Sequence, residues 1–186
     1  MKKISLLILS VLLFSCGEQT RVSSRPAEQV KFVNLIQSLR DQVNAAEQDK
    51  TIKSDLLQRG VPYVKQYIRD SLQLKFNSWE ARVLDVNENH PRQGQTELKL
   101  GMAYDLSDIL EKLRYHSVVL SMQNLDDSKI SGILKDLKLG DYVKVSGEII
   151  EQEGFIDIDS YSNYKLSKNI FDNPEFKVQI STVEKL

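Results

Sequence analysis

The residues of this chain that could carry acid–base, nucleophilic or metal chemistry are few. His90 and His116 are the two histidines, and histidine is the side chain whose ordinary titration suits a general base near neutrality. His90 falls in a polar turn beside Pro91 and His116 enters a strand; neither has partners at the spacing that converges three or four ligands on a zinc ion. Both read as ordinary loop and sheet histidines. A nucleophilic serine needs a sharp turn and a base, and no Gly-x-Ser-x-Gly occurs. Ser146-Gly147 lies inside a strand pattern, where glycine marks a bulge or a barrel corner. Asp157 and Asp159 share a strand face and Asp126-Asp127 precede a helix, but neither pair offers the alternating oxygens, central glycine and closing glutamate of a calcium loop. They read as a solvated face and as negative charge at a helix N-terminus. With eight glycines and neither Gly-x-Gly-x-x-Gly nor Gly-Lys-Ser/Thr, no phosphate-cradling loop is present, and no cofactor or metal is expected.

Cys16, the only cysteine, has a better-defined prospect. Lys2 and Lys3 precede an apolar run from Ile4 to Phe14, too short to span a bilayer permanently, which breaks at Leu13-Phe14-Ser15-Cys16-Gly17. That is the layout of a secretory signal over residues 1–15. Leu13-Phe14-Ser15-Cys16 resembles the bacterial lipobox, in which the thiol at the cleavage point receives a diacylglyceryl group and becomes the first residue of the mature protein. The resemblance implies a lipoprotein held on a membrane of the bacterial envelope through its N-terminal lipid. Each buried lipid methylene contributes about 0.8 kcal/mol, so one acyl chain holds marginally and two or three hold firmly. A lone thiol in an oxidising compartment also lacks a disulfide partner, and acylation removes that liability. Residue 17 is Gly rather than the Asp that retains similar proteins at the inner membrane, which points to the outer membrane facing the periplasm.

The elements that must position any site follow from charge and periodicity. Residues 16–25 are polar and aperiodic, a flexible tether. About 170 residues remain after the signal, enough for one domain with a real core. Lys plus Arg number 25 against 26 Asp plus Glu, and loss of Lys2 and Lys3 leaves a net charge of about −3, so no polyanion-binding surface and no nucleic acid partner is expected. A helical extension is predicted over 26–75. Pro26 suits a first helical turn, and Phe32, Leu35, Ile36, Leu39, Val43 and Ala46 recur at three- and four-residue intervals. Ile52, Leu56 and Leu57 predict a second short helix ending at Gly60, and Val64, Tyr67, Ile68 and Leu72 a third stripe after Val61-Pro62. The Phe32–Ala46 stripe is expected to pack on the barrel or on the third stripe, rather than to recruit a partner helix.

From Ser78 the period becomes two. Trp79, Ala81 and Val83 alternate with Glu80 and Arg82, then Leu84 and Val86 carry the apolar positions on the opposite parity, which predicts a bulge or tight bend. A polar turn over 87–94 leads to Leu98, Leu100 and Met102, a hairpin with a long loop. A third strand is predicted over 115–122, and a short helix capped by Ser128 carries Ile130, Ile133, Leu134 and Leu137. Leu139-Gly140-Asp141 turns sharply into a fourth strand over 142–150. Phe155, Ile156 and Ile158 mark a fifth strand, and Phe176–Ile180 a tail strand. Three strands, a helix and two strands is the order of the OB-fold. The expected class is α+β: a small five-stranded OB-like Greek-key β-barrel over 76–186, with an N-terminal helical extension and a C-terminal extra strand.

Asn77-Ser78-Trp79-Glu80-Ala81-Arg82-Val83-Leu84-Asp85-Val86, then Leu137-Lys138-Leu139-Gly140-Asp141-Tyr142-Val143-Lys144-Val145-Ser146-Gly147, and Asn173-Pro174-Glu175-Phe176 together resemble exported bacterial OB-fold proteins of largely unassigned activity. The resemblance implies architecture and transfers no catalytic residue. Trp79, Tyr104, Tyr115 and Phe155 are expected in core or hairpin packing rather than as platforms for bases. Tyr142 shares strand parity with Lys144 and Ser146 and is expected to face solvent. OB barrels commonly bind on the face of strands two and three and the adjoining loops. The chain is therefore expected to be a lipid-anchored, non-enzymatic envelope module that binds an envelope protein or glycan through Tyr142, Lys144 and Ser146, with Arg92 in the neighbouring loop. The alternatives are an enzyme or inhibitor acting on cell-wall or oligosaccharide substrates with Glu88 or Asp105 as acid and base, and an oligonucleotide-binding barrel.

Overall fold

In the computed structural model, which describes residues 24–90, 95–104, 117–123, 134–161 and 169–186, two helices precede eight strands. Helix α1 spans Ala27–Ala45 and α2 Lys50–Asp70. Asp49 starts α2: its Oδ1 accepts the N–H groups of Thr51 and Ile52 at 2.9 and 3.0 Å. The break expected between Gly60 and Pro62 does not occur, and α2 runs through both. Gly60 is buried, and a Cβ there would lie 3.0 Å from Phe171 Cζ, so its small size serves close helix packing rather than a helix end. Pro62 sits on the exposed side and forfeits one backbone hydrogen bond. Val64 and Ile68, fully buried, carry the helix past it, because packing of an apolar face outweighs local propensity.

The strands are β1 (Lys75–His90), β2 (Gln95–Ala103), β3 (Ser117–Gln123), β4 (Tyr142–Ile149), β5 (Glu151–Gln152), β6 (Phe155–Ile156), β7 (Ile158–Ser160) and β8 (Pro174–Lys185). The main sheet runs β3-β2-β1-β4-β8-β7, and β8 also pairs parallel with β3 through Val119/Glu175, Leu120/Phe176 and Ser121/Lys177. That pairing closes a five-stranded barrel in the OB-like arrangement, so the α+β class is as expected. The closing strand is not the expected one. β8, predicted as a tail, is the fifth barrel strand; the 155–158 segment is divided between the β5–β6 hairpin and β7, which adds to β8 as an extra strand. Only β8 is long enough to close the barrel while burying Phe176, Val178, Ile180 and Val183.

The bulge predicted at Leu84 is present as a register shift between Val83 and Asp85. A second shift, in the β4–β8 ladder, falls at Ser146/Gly147, where a Cβ on Gly147 would overlap the Gln179 carbonyl oxygen. The β1–β2 ladder extends to His90↔Gln95, so the hairpin loop is shorter than expected. Helices and barrel share one core. Phe32 of α1 stands with its ring 6.1 Å from Tyr67 of α2 and 5.5 Å from both Trp79 and Phe176, so its stripe packs on helix and barrel together. Leu134 and Leu137 are buried in the same core, while the rest of the predicted Ser128 helix lies outside the described residues.

The helical extension also closes an open sheet edge. β2 pairs with β1 only from Arg82↔Gly101 onward, and among the described residues no strand pairs with the earlier part of β1 on that side. Gln29, fully buried on α1, takes the missing strand's place: its Nε2 donates to the Glu80 carbonyl at 2.5 Å and its Oε1 accepts the Glu80 N–H at 2.9 Å. Beside it, Glu28 accepts the Trp79 indole N–H at 3.0 Å. At its far end α1 is tied to the turn before β8, with Asn44 donating to Asp172 at 3.3 Å and accepting from Asn169 at 2.9 Å.

Candidate binding face

Along β4 Val143, Val145 and Gly147 are buried while Tyr142, Lys144 and Ser146 alternate outward and are half-buried. The register sets Arg82 and Glu80 of β1 opposite Tyr142 and Lys144 on one side, and Glu184 of β8 opposite Lys144 on the other. The Arg82 guanidinium lies 4.9 Å from the Tyr142 ring centroid and its Nε donates to the Gly140 carbonyl at 2.9 Å. The cation thereby holds the ring in one orientation. The turn beneath is built by Gly140, at φ 88, and Asp141. The Asp141 carboxylate accepts the Lys138 N–H at 2.8 Å and pairs with Lys185 at 2.6 Å. The Lys185 hydrogen bond, then the Lys138 backbone N–H, holds Asp141 below the usual carboxylate range.

The three β4 residues are not equivalent. The Ser146 hydroxyl donates to Asn77 Oδ1 at 3.0 Å and accepts the Ser78 N–H at 2.9 Å, so it stitches an irregular stretch of β1 in which Ser78 has φ 52. Lys144 makes no hydrogen bond or ion pair among the described residues. A ligand on this face would meet the Arg82–Tyr142 pair and the Lys144 ammonium, with Ser146 already engaged. Arg92, Cys16, His116, Asp105, Tyr115, Asp126 and Asp127 lie outside the described residues; Glu88 and His90 fall on β1. Sequence reasoning misses Arg82 as a site residue, although its place in the β1 alternation puts it on the outer face.

The chain enters the fold at this face. The Ser24 N–H donates to Glu80 Oε1 at 3.0 Å, the Ser24 hydroxyl bonds the same oxygen, and Arg25 donates to the Ala103 carbonyl at 3.0 Å. Glu80 is the cross-strand partner of Lys144, so Ser24 is held on the residue that faces that lysine.

By contrast, the outer face of β2 and β3 is packed. Leu84, Ala103 and Val119 form a small buried apolar cluster against Tyr161. Lys99 is held between Glu97 at 3.3 Å and Glu175 at 3.4 Å, with its ammonium 4.9 Å from the Tyr161 ring centroid. Burial opposes the Lys99 charge, but the carboxylates of Glu175 and Glu97 outweigh it and raise its titration above the lysine range. Of the other aromatics, Trp79 and Tyr104 are core residues as expected, and the Tyr104 hydroxyl donates to the Phe171 carbonyl at 2.6 Å. Burial pushes the Tyr104 phenol well above its ordinary value. Phe155 departs from expectation: it is 69% exposed.

Among the described residues no group of three His, Cys, Asp or Glu side chains could hold a metal ion, and no helix is long and apolar enough to cross a membrane. No family model, curated protein or solved structure matches the chain.

Proposed function

We propose that this protein is a non-enzymatic binding module of the bacterial envelope, lipid-anchored through Cys16 on the outer membrane and facing the periplasm. Its β1–β4 face, with Tyr142, Arg82 and Lys144, takes an envelope protein or glycan close to the lipid surface. One observation carries this reading: the tether root at Ser24 is clamped to Glu80, beside Lys144. Residues 16–23 can reach at most about 28 Å, and as a flexible chain they span about 16 Å on average. An acylated Cys16 therefore holds this face within a short distance of the headgroups, where a partner in or on the same membrane meets it at high effective concentration.

Photocrosslinking in whole cells tests the reading. A photoreactive residue at Tyr142 or Lys144 is expected to capture a discrete species that the same residue at exposed Gln66 on α2 does not. Equal capture at all three positions, or none, refutes the face. The anchor is tested separately by a palmitate analogue, which is expected to label the wild type and spare Cys16→Ser. An unlabelled wild type refutes the address.

A further inference from the structure

We propose that the β5–β6 hairpin and the adjoining outer surface of β8 form a second site, which binds a neutral β-linked glycan by stacking a sugar ring on Phe155. The site does not rest on the lipid anchor, and it involves the opposite end of β4 from Tyr142. Phe155 is the most exposed of the large hydrophobic residues described. It is not carried on a loose tip. Glu153 and Gly154 both take positive φ, 51 and 79, the geometry of a tight two-residue hairpin turn. Arg69 of α2 clamps the hairpin from two sides, donating to Glu151 Oε1 at 2.8 Å and to the Gly154 carbonyl at 2.6 Å. An exposed aromatic ring on a braced hairpin has little freedom left to lose on binding.

The ring borders a concavity of about 620 Å³ that also involves Gln152, Asp157 and Lys177. A second concavity, of about 480 Å³, shares Ile150 with it and reaches Gln179. Lys177 and Gln179 alternate on the outer face of β8, so the two depressions follow one strand. Their volumes fall within the range of small-ligand sites.

Charge selects the ligand class. Lys177 is paired with Asp157 at 3.3 Å and Arg69 with Glu151 at 2.8 Å, so the cations here are already neutralised. Gln152, Glu153 and Gln179 have side chains with no hydrogen bond or ion pair among the described residues. A phosphate-bearing strand that stacked on Phe155 would meet Glu153, with Lys177 and Arg69 beside it already paired. A neutral sugar chain suits both features: the axial C–H groups of a β-linked pyranose present a flat apolar face to the ring, and its hydroxyls bond the free amides and carboxylate.

The full chain in detergent micelles, probed with cellotetraose and tetra-N-acetylchitotetraose by saturation-transfer NMR, tests this. Transfer to the sugar C–H protons is expected for at least one probe, with a Kd on the order of 1 mM. Phe155→Ala is expected to weaken it about tenfold or more, Phe155→Trp to retain it, and Gln179→Ala to weaken it in part, with unfolding midpoints unchanged. No transfer to either sugar overturns the proposal. So does undiminished binding by Phe155→Ala, or preferential binding of oligothymidylate. Loss of sugar binding in Tyr142→Ala with Phe155→Ala unaffected moves the glycan to the β1–β4 face and also overturns it.

Discussion

Replacing the buried Gln29 of α1 by Ala should destabilise this fold well beyond the effect of an exposed helix substitution. The side-chain amide holds both the Glu80 N–H and its carbonyl, and among the described residues no strand pairs with that edge of β1 there. Gln29 itself is fully buried and Glu80 is 7% exposed, so water cannot readily replace the lost amide. A buried backbone group left without a partner costs about 1–3 kcal/mol, which puts the pair at about 2–6 kcal/mol. A domain of this size has only about 5–15 kcal/mol in total. At a middle value of about 3 kcal/mol, the Tm should fall by about 6–12 °C. Trp79, the single tryptophan, sits beside this contact and reports unfolding by fluorescence. Exchange of the Glu80 amide hydrogen should accelerate about a hundredfold in the variant. Gln29→Glu removes the donor and sets a carboxylate against the Glu80 carbonyl, so at neutral pH it should be at least as damaging as Ala. A Tm change under about 2 °C, corresponding to less than 1 kcal/mol, with the Glu80 amide still protected, would refute the idea that α1 substitutes for a missing strand.

Gly147→Ala should lose about 1–3 kcal/mol or more in urea unfolding, because the new methyl meets the Gln179 backbone where neither strand can yield. Tyr104→Phe should lose about 1 kcal/mol through its bond to the Phe171 carbonyl. Burial raises Tyr104 and the Glu175 and Glu97 carboxylates raise Lys99, so both favour the fold in their protonated forms. Their contribution is complete below about pH 10 and is lost as the pH climbs through the raised values. Thermal unfolding above pH 10 should therefore fall less steeply in Tyr104→Phe than in the wild type. Asp141 has the opposite sign: its carboxyl is held low, so its contribution is present above about pH 4 and disappears on further acidification. Asp141→Asn should flatten the acid limb of the stability curve while leaving the alkaline limb unchanged.

Much of this molecule is legible in the order of its amino acids. The switch from a helical period to a period of two at Ser78, three residues into β1, the parity change at Leu84, the tight turn at Gly140-Asp141 and the outward row of Tyr142, Lys144 and Ser146 are local signals, and each is found in the fold. Periodicity states which face of its own element a residue occupies, because backbone geometry sets that over a few residues. The chemistry expected of Cys16 is likewise a reading of local sequence.

Other decisions were made between segments distant in the chain. Gly60 and Pro62 carry the local marks of a helix end, yet contact with Phe171 and burial of Val64 and Ile68 keep α2 whole. The 155–158 segment has the alternation of a barrel strand, yet β8 closes the barrel because it alone offers enough inward residues to pair with both β3 and β4. Gln29 looks like a polar residue at the start of an amphipathic helix, and Ser24 like part of a leash. Their roles exist only because β2 stops short of Glu80. Amino-acid order thus determined which face each residue shows, whereas the partner each face meets was decided by strand pairing and shared burial across the whole chain.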